Sequence, residues 1–377
     1  MKYHTIKVEI KNVLLLWEQV KAQEKFFFYN PYEKKMILAW ERNCRIEDCI
    51  DEKVPFFYTI RFNEEKVEKE WENYCTEKIV FNYILYSDKD GTFLIYRDKK
   101  PKLIESDHAI IRHIYNMEKG NYHSWEKLYT NIKNEIKEGK VKKVVASRKV
   151  VVHSTKKFDI VSIILNLLNS NKESFVFAYE KNKKTFLGAS PEILVQKTES
   201  IIKSYAIAGT MPKKKHIERG KWLLDDLKNN EEHKIVVDYI AGIMKKNAEE
   251  IYISRTTLLE LKNLYHLKTE VMAKNLNLSL VDWAKLLHPT PAMCGVPKEK
   301  AMGIINDYEE HDRGLFAAPI GVIDEKGDGV FIVGIRSALI EGNTLYAYAG
   351  CGIVEQSDCR EEYEEINNKL RTILEAL

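Results

Sequence analysis

Glu362 and Glu365 lie three residues apart in CREEYEEINNKLRTILEAL, with Lys369 one turn further on, so a helix here puts two carboxylates and an ammonium on one side. The helix follows from Tyr363, Ile366, Leu370, Ile373, Leu374 and Leu377, apolar residues that recur with a 3.6-residue period. Asp358 with Glu361 predicts the cap that starts it. Carboxylates at i, i+3 that face a cleft can hold a hard cation, although Glu365 and Lys369 also read as an exposed i, i+4 ion pair. A third carboxylate, Glu232, shares a helical stripe with Val236, Tyr239 and Ile243, so a buried face begins with a charge. Burial there demands a partner or a metal, whereas at a frayed first turn the same side chain would only meet the helix dipole.

Arg336 interrupts FIVGIRSALI, a run apolar on both strand faces. Its planar fork matches a carboxylate, whether that of a ligand or that of a surface glutamate. Gly350 and Gly352 leave room for a ligand to approach the backbone. Lys143 opens the strand VVASR, and Glu192 follows the SP turn after a glycine-containing strand. Taken singly, both read as surface residues. To serve as a base, Lys143 needs apolar surroundings or a neighbouring positive charge; Lys142 belongs on the opposite, solvated face.

The elements that must position these groups alternate. A helix is predicted from Trp125 to Glu138, stopped by Gly139, then a strand over 141–153 and a helix over 158–169. Hairpin strands follow at 174–180 and 185–197, helices at 216–247 and 278–288, and a second hairpin turns at Glu341, Gly342 and Asn343. Adjacent strands favour antiparallel pairing, so the class is α+β, with extended antiparallel sheets and helices outside. Residues 1–105 show short aromatic runs such as KFFFYNPY without a usable motif and are expected to pack on the same body as a catalytic part over 106–377. Lysine and arginine exceed acids by only three, which gives no grip on nucleic acid. The longest early apolar run, Val13 to Trp17, is too short for a signal or membrane segment, so a cytoplasmic chain is expected. Six cysteines without CxxC spacing read as reduced and structural, with no zinc site.

Nine segments occur in one order: KVVASR (143–148), FLGASPEILV (186–195), AIAGT (206–210), NEEHKIVVD (230–238), LYHLKT (264–269), HPTPAMCGVP (288–297), RGLFAAPIG (313–321), IRSAL (335–339) and GCGIV (350–354). Over about residues 105–377 the chain resembles the chorismate-utilising enzymes and, within them, the isochorismate synthases. The resemblance implies a two-lobed α+β fold and a Mg2+ held by Glu232, Glu362 and Glu365. It implies that Arg336 holds a substrate carboxylate, with Gly209, Thr210, His266, Gly352 and Lys369 as further contacts. It makes Lys143 the base that activates water for attack at C2 of chorismate, and Glu192 the acid that protonates the departing C4 hydroxyl. Ala208 stands where aminodeoxychorismate synthases carry a covalent lysine, and a lysine at 143 departs from anthranilate synthases. Salicylate synthases keep both groups, but HPTPAMCGVP is more similar to the isochorismate enzymes. Cys351 replaces the usual alanine and EEYEE is unusually acidic; neither removes a functional group. RGLFAAPIGVID and IRSALI favour menaquinone biosynthesis over catechol siderophores. A monomer without a glutaminase subunit is expected, and a catalytically silent chorismate-binding protein is the non-enzyme alternative.

Overall fold

Aromatic and β-branched runs become strands and the 3.6-residue stripes become helices in the computed structural model, which describes residues 3–43, 54–105, 107–118, 122–213, 221–261 and 264–377. The first hundred residues supply β1 (Tyr3–Lys7), β2 (Glu24–Asn30), β3 (Lys35–Arg42), β4 (Phe56–Thr59), β5 (Glu77–Ile79), β6 (Phe81–Asp88) and β7 (Gly91–Arg97). Then come β8 (Tyr115–Met117), α1 (Tyr122–Lys137), β9 (Lys143–Ser154), α2 (Ile160–Ser170), β10 (Phe175–Lys181), β11 (Lys184–Ser190), β12 (Ile193–Thr198) and β13 (Ile201–Pro212). Next are α3 (Lys221–Asp225), α4 (Leu227–Asn247), β14 (Ala248–Ile253), β15 (Thr257–Glu260), β16 (Leu264–Asn275), α5 (Leu280–Leu287), β17 (Gly295–Val296) and α6 (Lys298–Tyr308). The chain closes with β18 (Pro319–Ile323), β19 (Gly329–Val333), β20 (Ser337–Glu341), β21 (Thr344–Ile353) and α7 (Cys359–Leu374).

Two antiparallel sheets result. One runs β1-β7-β6-β3-β2-β10-β11-β20-β21-β9-β17, with β8 added on β9; the other runs β14-β16-β13-β12-β19-β18-β4-β5, with β15 on β16. The architecture is α+β. Strands from the first hundred residues extend both sheets, since β2 pairs with β10 and β4 with β18. Buried Arg313 joins two of the recognised segments to β9: it donates to the carbonyls of Met293 (2.9 Å) and Val145 (2.7 Å) and to Glu309 Oε2 (2.8 Å). No helix of the described residues is long and apolar enough to cross a membrane. Cys75, Cys294, Cys351 and Cys359 are free thiols, while Cys44 and Cys49 lie outside the described residues.

Four expectations change. The strand read as 185–197 is two strands in different sheets, β11 and β12, parted at Pro191, which has no N–H for a ladder. FIVGIRSALI likewise divides into β19 and β20, and Arg336 at the division adopts φ +52°. The long helix is α3 and α4, separated by Asp226, whose side chain caps α4; its expected start at 216 lies outside the described residues. The buried face of α4 carries His233, Val236, Ile240 and Met244, one position round from the expected stripe, which leaves Glu232 at its edge.

Candidate active site

β11 and β12 pair with β20 and β19 respectively, so both strand pairs cross from one sheet to the other at the same place. Glu192 and Arg336 sit at these two crossings. Lys143 begins β9, Gly350 and Gly352 come from β21, Ala208, Gly209 and Thr210 from β13, and His266 from β16. Together with Glu232 of α4 and Glu365 and Lys369 of α7, these residues line one pocket of about 80 Å³. Asp358 caps α7 by accepting from the N–H groups of Arg360 and Glu361, and Ile366, Leu370 and Ile373 anchor its inner face. Burying each of those side chains contributes about 1.5–3 kcal/mol.

Each of the three glutamates meets a lysine. Lys143 Nζ donates to Glu232 Oε1 at 2.7 Å, Lys228 to Glu362 at 3.0 Å, and Lys369 to Glu365 at 2.7 Å. Burial pushes the Glu232 carboxyl up, but Lys143, Lys369 and Lys228 together outweigh it and leave Glu232 below the usual range. Glu362 is raised, first by burial and then by Glu365. Lys228 is held above an ordinary lysine against its burial by Glu362, Glu232 and Glu365 in turn, so one ammonium feels all three carboxylates. Their oxygens do not converge within 4.8 Å; among the described residues Glu18, His108 and Asp159 do so, beside another cavity. At Gly352 a Cβ would fall 2.6 Å from both Glu232 Oε1 and Lys143 Cε, so the missing side chain is what admits this pair.

Glu192 faces the opposite electrostatic balance. Its side chain is buried without a salt-bridge partner among the described residues, and burial lifts its pKa to about 8 despite Lys369, Lys143 and Arg336. Near neutral pH it therefore carries a proton. Burial likewise lowers Arg336 to about 10. Arg336 Nη2 can only donate, so His266 Nε2, 3.3 Å away, accepts. The imidazole proton then resides on Nδ1 and points to the Gly209 carbonyl at 3.2 Å, with Thr210 Oγ1 also 3.2 Å away. Burial, then Arg336 and Lys369, hold His266 far below its ordinary pKa, which keeps it neutral. His266 thus orients the arginine and is no proton donor to it.

The sequence that builds this seam between the sheets matches a known family. The family model described as chorismate binding enzyme covers residues 51–377. The chain belongs to the chorismate-binding enzymes. It is 37% identical over 283 residues to the isochorismate synthase MenF of Bacillus subtilis, covering 74% of this chain. It spans 59% of that relative's length. The vibriobactin-specific isochorismate synthase of Vibrio cholerae is 26% identical over 363 residues, covering 93% of this chain and 91% of that one. The structure of the menaquinone-specific isochorismate synthase MenF of Escherichia coli superposes with a TM-score of 0.81 at 20% identity, covering 99% of this chain and 95% of the other. That likeness is one of fold.

Of the eleven candidate site residues read from sequence, ten line the pocket, and Glu362 lies beside it, bonded to Lys228. Lys228 itself was missed. Its spacing was the available signal, since it precedes Glu232 by four residues on the same helix face.

Proposed function

We propose that this chain is an isochorismate synthase, which converts chorismate to isochorismate by adding water at C2 and releasing the C4 hydroxyl. The observation that carries the reading is the shared pocket of Glu192, protonated near neutral pH, and Lys143, a buried lysine that is the candidate base. Lys143, parted from Glu232 and in its amine form, takes a proton from water as the water oxygen bonds to C2, both ring double bonds shift, and Glu192 gives its proton to the C4 oxygen, which leaves as water. One water enters and one departs, so the reaction is an isomerisation. Ala208 offers no amine for covalent attack. Arg336, fixed by His266, holds the substrate carboxylate, with the Gly209 backbone and the Thr210 hydroxyl as further substrate contacts. The names of the Bacillus subtilis and Vibrio cholerae relatives support the same activity.

Glu232, Glu362 and Glu365 would hold Mg2+: they are all oxygen donors, and their joint pull on Lys228 is what a hard cation would feel. The ion would neutralise a substrate carboxylate. Its binding, like that of chorismate, requires the lysine–glutamate pairs to part, because the present pocket of about 80 Å³ is well below the roughly 300–1,000 Å³ of small-molecule clefts. Residues 106–377 carry this machinery in our reading, and the chain acts as a cytoplasmic monomer without a glutaminase subunit. The likeness of RGLFAAPIGVID and IRSALI to the menaquinone-type enzymes supports a role for the product in menaquinone biosynthesis.

Purified protein incubated with chorismate and Mg2+ is expected to yield isochorismate on chromatography; EDTA abolishes turnover and added Mg2+ restores it. Salicylate with pyruvate, an aminated product requiring ammonium, or binding without turnover would each overturn the activity. Full turnover in EDTA would overturn the metal site. Rescue of a menaquinone-deficient strain, rather than of a siderophore-deficient one, tests the pathway.

A further inference from the structure

Asn229 is the third residue of α4, one turn before Glu232. Its N–H and its side-chain Nδ2 both reach Asp226 Oδ1 at 2.8 Å. The backbone bond alone satisfies the cap, so the side chain is free for a second task. Its Oδ1 turns away from the helix and accepts the N–H of Thr210 at 2.9 Å.

The recipient is a β-bulge. The register of β13 on β16 slips between Ala208 and Thr210, and Gly209 there has φ +75°. A bulge loses a ladder hydrogen bond, and Asn229 supplies an acceptor in its place. The fit is close: a Cβ at Gly209 would lie 3.1 Å from Asn229 Cβ and 3.2 Å from its Oδ1. Gly209 in turn offers its carbonyl to His266, which holds Arg336. A continuous set of contacts therefore runs from the cap of α4 to the buried guanidinium.

We propose that Asn229 is a positioning residue for the carboxylate-binding arm: it pins the Gly209–Thr210 bulge to α4 and so sets His266 and, through it, Arg336. Asn229 itself touches no substrate. Its effect is to register the arm that recognises a planar carboxylate against the helix that carries Glu232, two structures that belong to different layers of the fold. This rests on the chorismate reading of the pocket.

Asn229→Leu keeps the side chain's approximate shape and removes both of its hydrogen bonds, whereas Asn229→Gln keeps an amide that can accept from Thr210 without setting a second carboxylate against Asp226; residue 229's own N–H still reaches Asp226 in both. Loss of one buried hydrogen bond corresponds to about a tenfold change in affinity. Asn229→Leu is therefore expected to raise the KM for chorismate, and the calorimetric Kd for chorismate in EDTA, about tenfold with kcat within about threefold. Asn229→Gln should recover part of the loss. Asn229→Ala replaces the leucine variant if that does not fold. Unchanged KM and Kd, a fall in kcat at constant KM, or a glutamine variant as impaired as the leucine one would overturn the proposal. A wild-type protein that makes no isochorismate would instead overturn the activity, so the two failures are distinct.

Discussion

Lys143 and Glu192 are both buried, yet their surroundings treat them differently. Lys143 has a carboxylate at 2.7 Å, while Glu192 has only distant positive charge and keeps its proton up to about pH 8. A positioned acid or base contributes about 10² to 10⁴-fold in rate. Lys143→Ala and Glu192→Gln should each lose turnover on that scale while the circular dichroism spectrum persists, and together they should lose less than the product of the two. The acid also gives a pH signature. The folded-state pKa is raised above the ordinary value near 4.5, so the stability associated with protonated Glu192 is fully present below pH 4.5 and is lost as pH rises through about 8. Turnover should fall above pH 8. The thermal midpoint should decline between pH 4.5 and about 8 in wild type and less in Glu192→Gln; equal declines would remove the assignment.

At the scale of elements, the two glycines of β21 separate site from scaffold. A methyl at Gly352 meets the ends of Glu232 and Lys143, groups that can move, whereas at Gly350 it meets the Ala146 carbonyl at 2.7 Å on the paired strand. Gly352→Ala should keep its thermal midpoint but lose turnover on the order of 10²-fold, because a displacement of about 1 Å in a reacting group costs that much. Gly350→Ala should lower the midpoint instead; the reverse pattern in a melting and activity comparison would contradict this division. The sequence was most legible where periodicity was strong. α7, with Glu362, Glu365 and Lys369 on one side, and the tight turn at Gly342–Asn343 follow from local pattern alone. It was least legible at the crossings. Lys184–Ser190 is buried throughout, and apolar residues continue on the far side of Pro191, so nothing in the alternation marks where one sheet ends. The partners of Lys143, Lys228 and Asn229 are set by packing between distant segments, which local pattern does not encode.

For the whole molecule, two large antiparallel sheets share a seam, and the first hundred residues complete both rather than standing apart. The seam brings together residues from 143 to 369, with Lys143 and Glu192, the proposed base and acid, lining one pocket with Arg336, the proposed carboxylate-binding arginine. That arrangement calls for water as the nucleophile, since the position that would carry a covalent lysine is Ala208. Turnover of chorismate in oxygen-18 water, followed by mass spectrometry of the product, tests this most directly. The account predicts one labelled oxygen at C2 of isochorismate with unlabelled water released from C4; isochorismate without label, or label-independent release of pyruvate with salicylate, would contradict it.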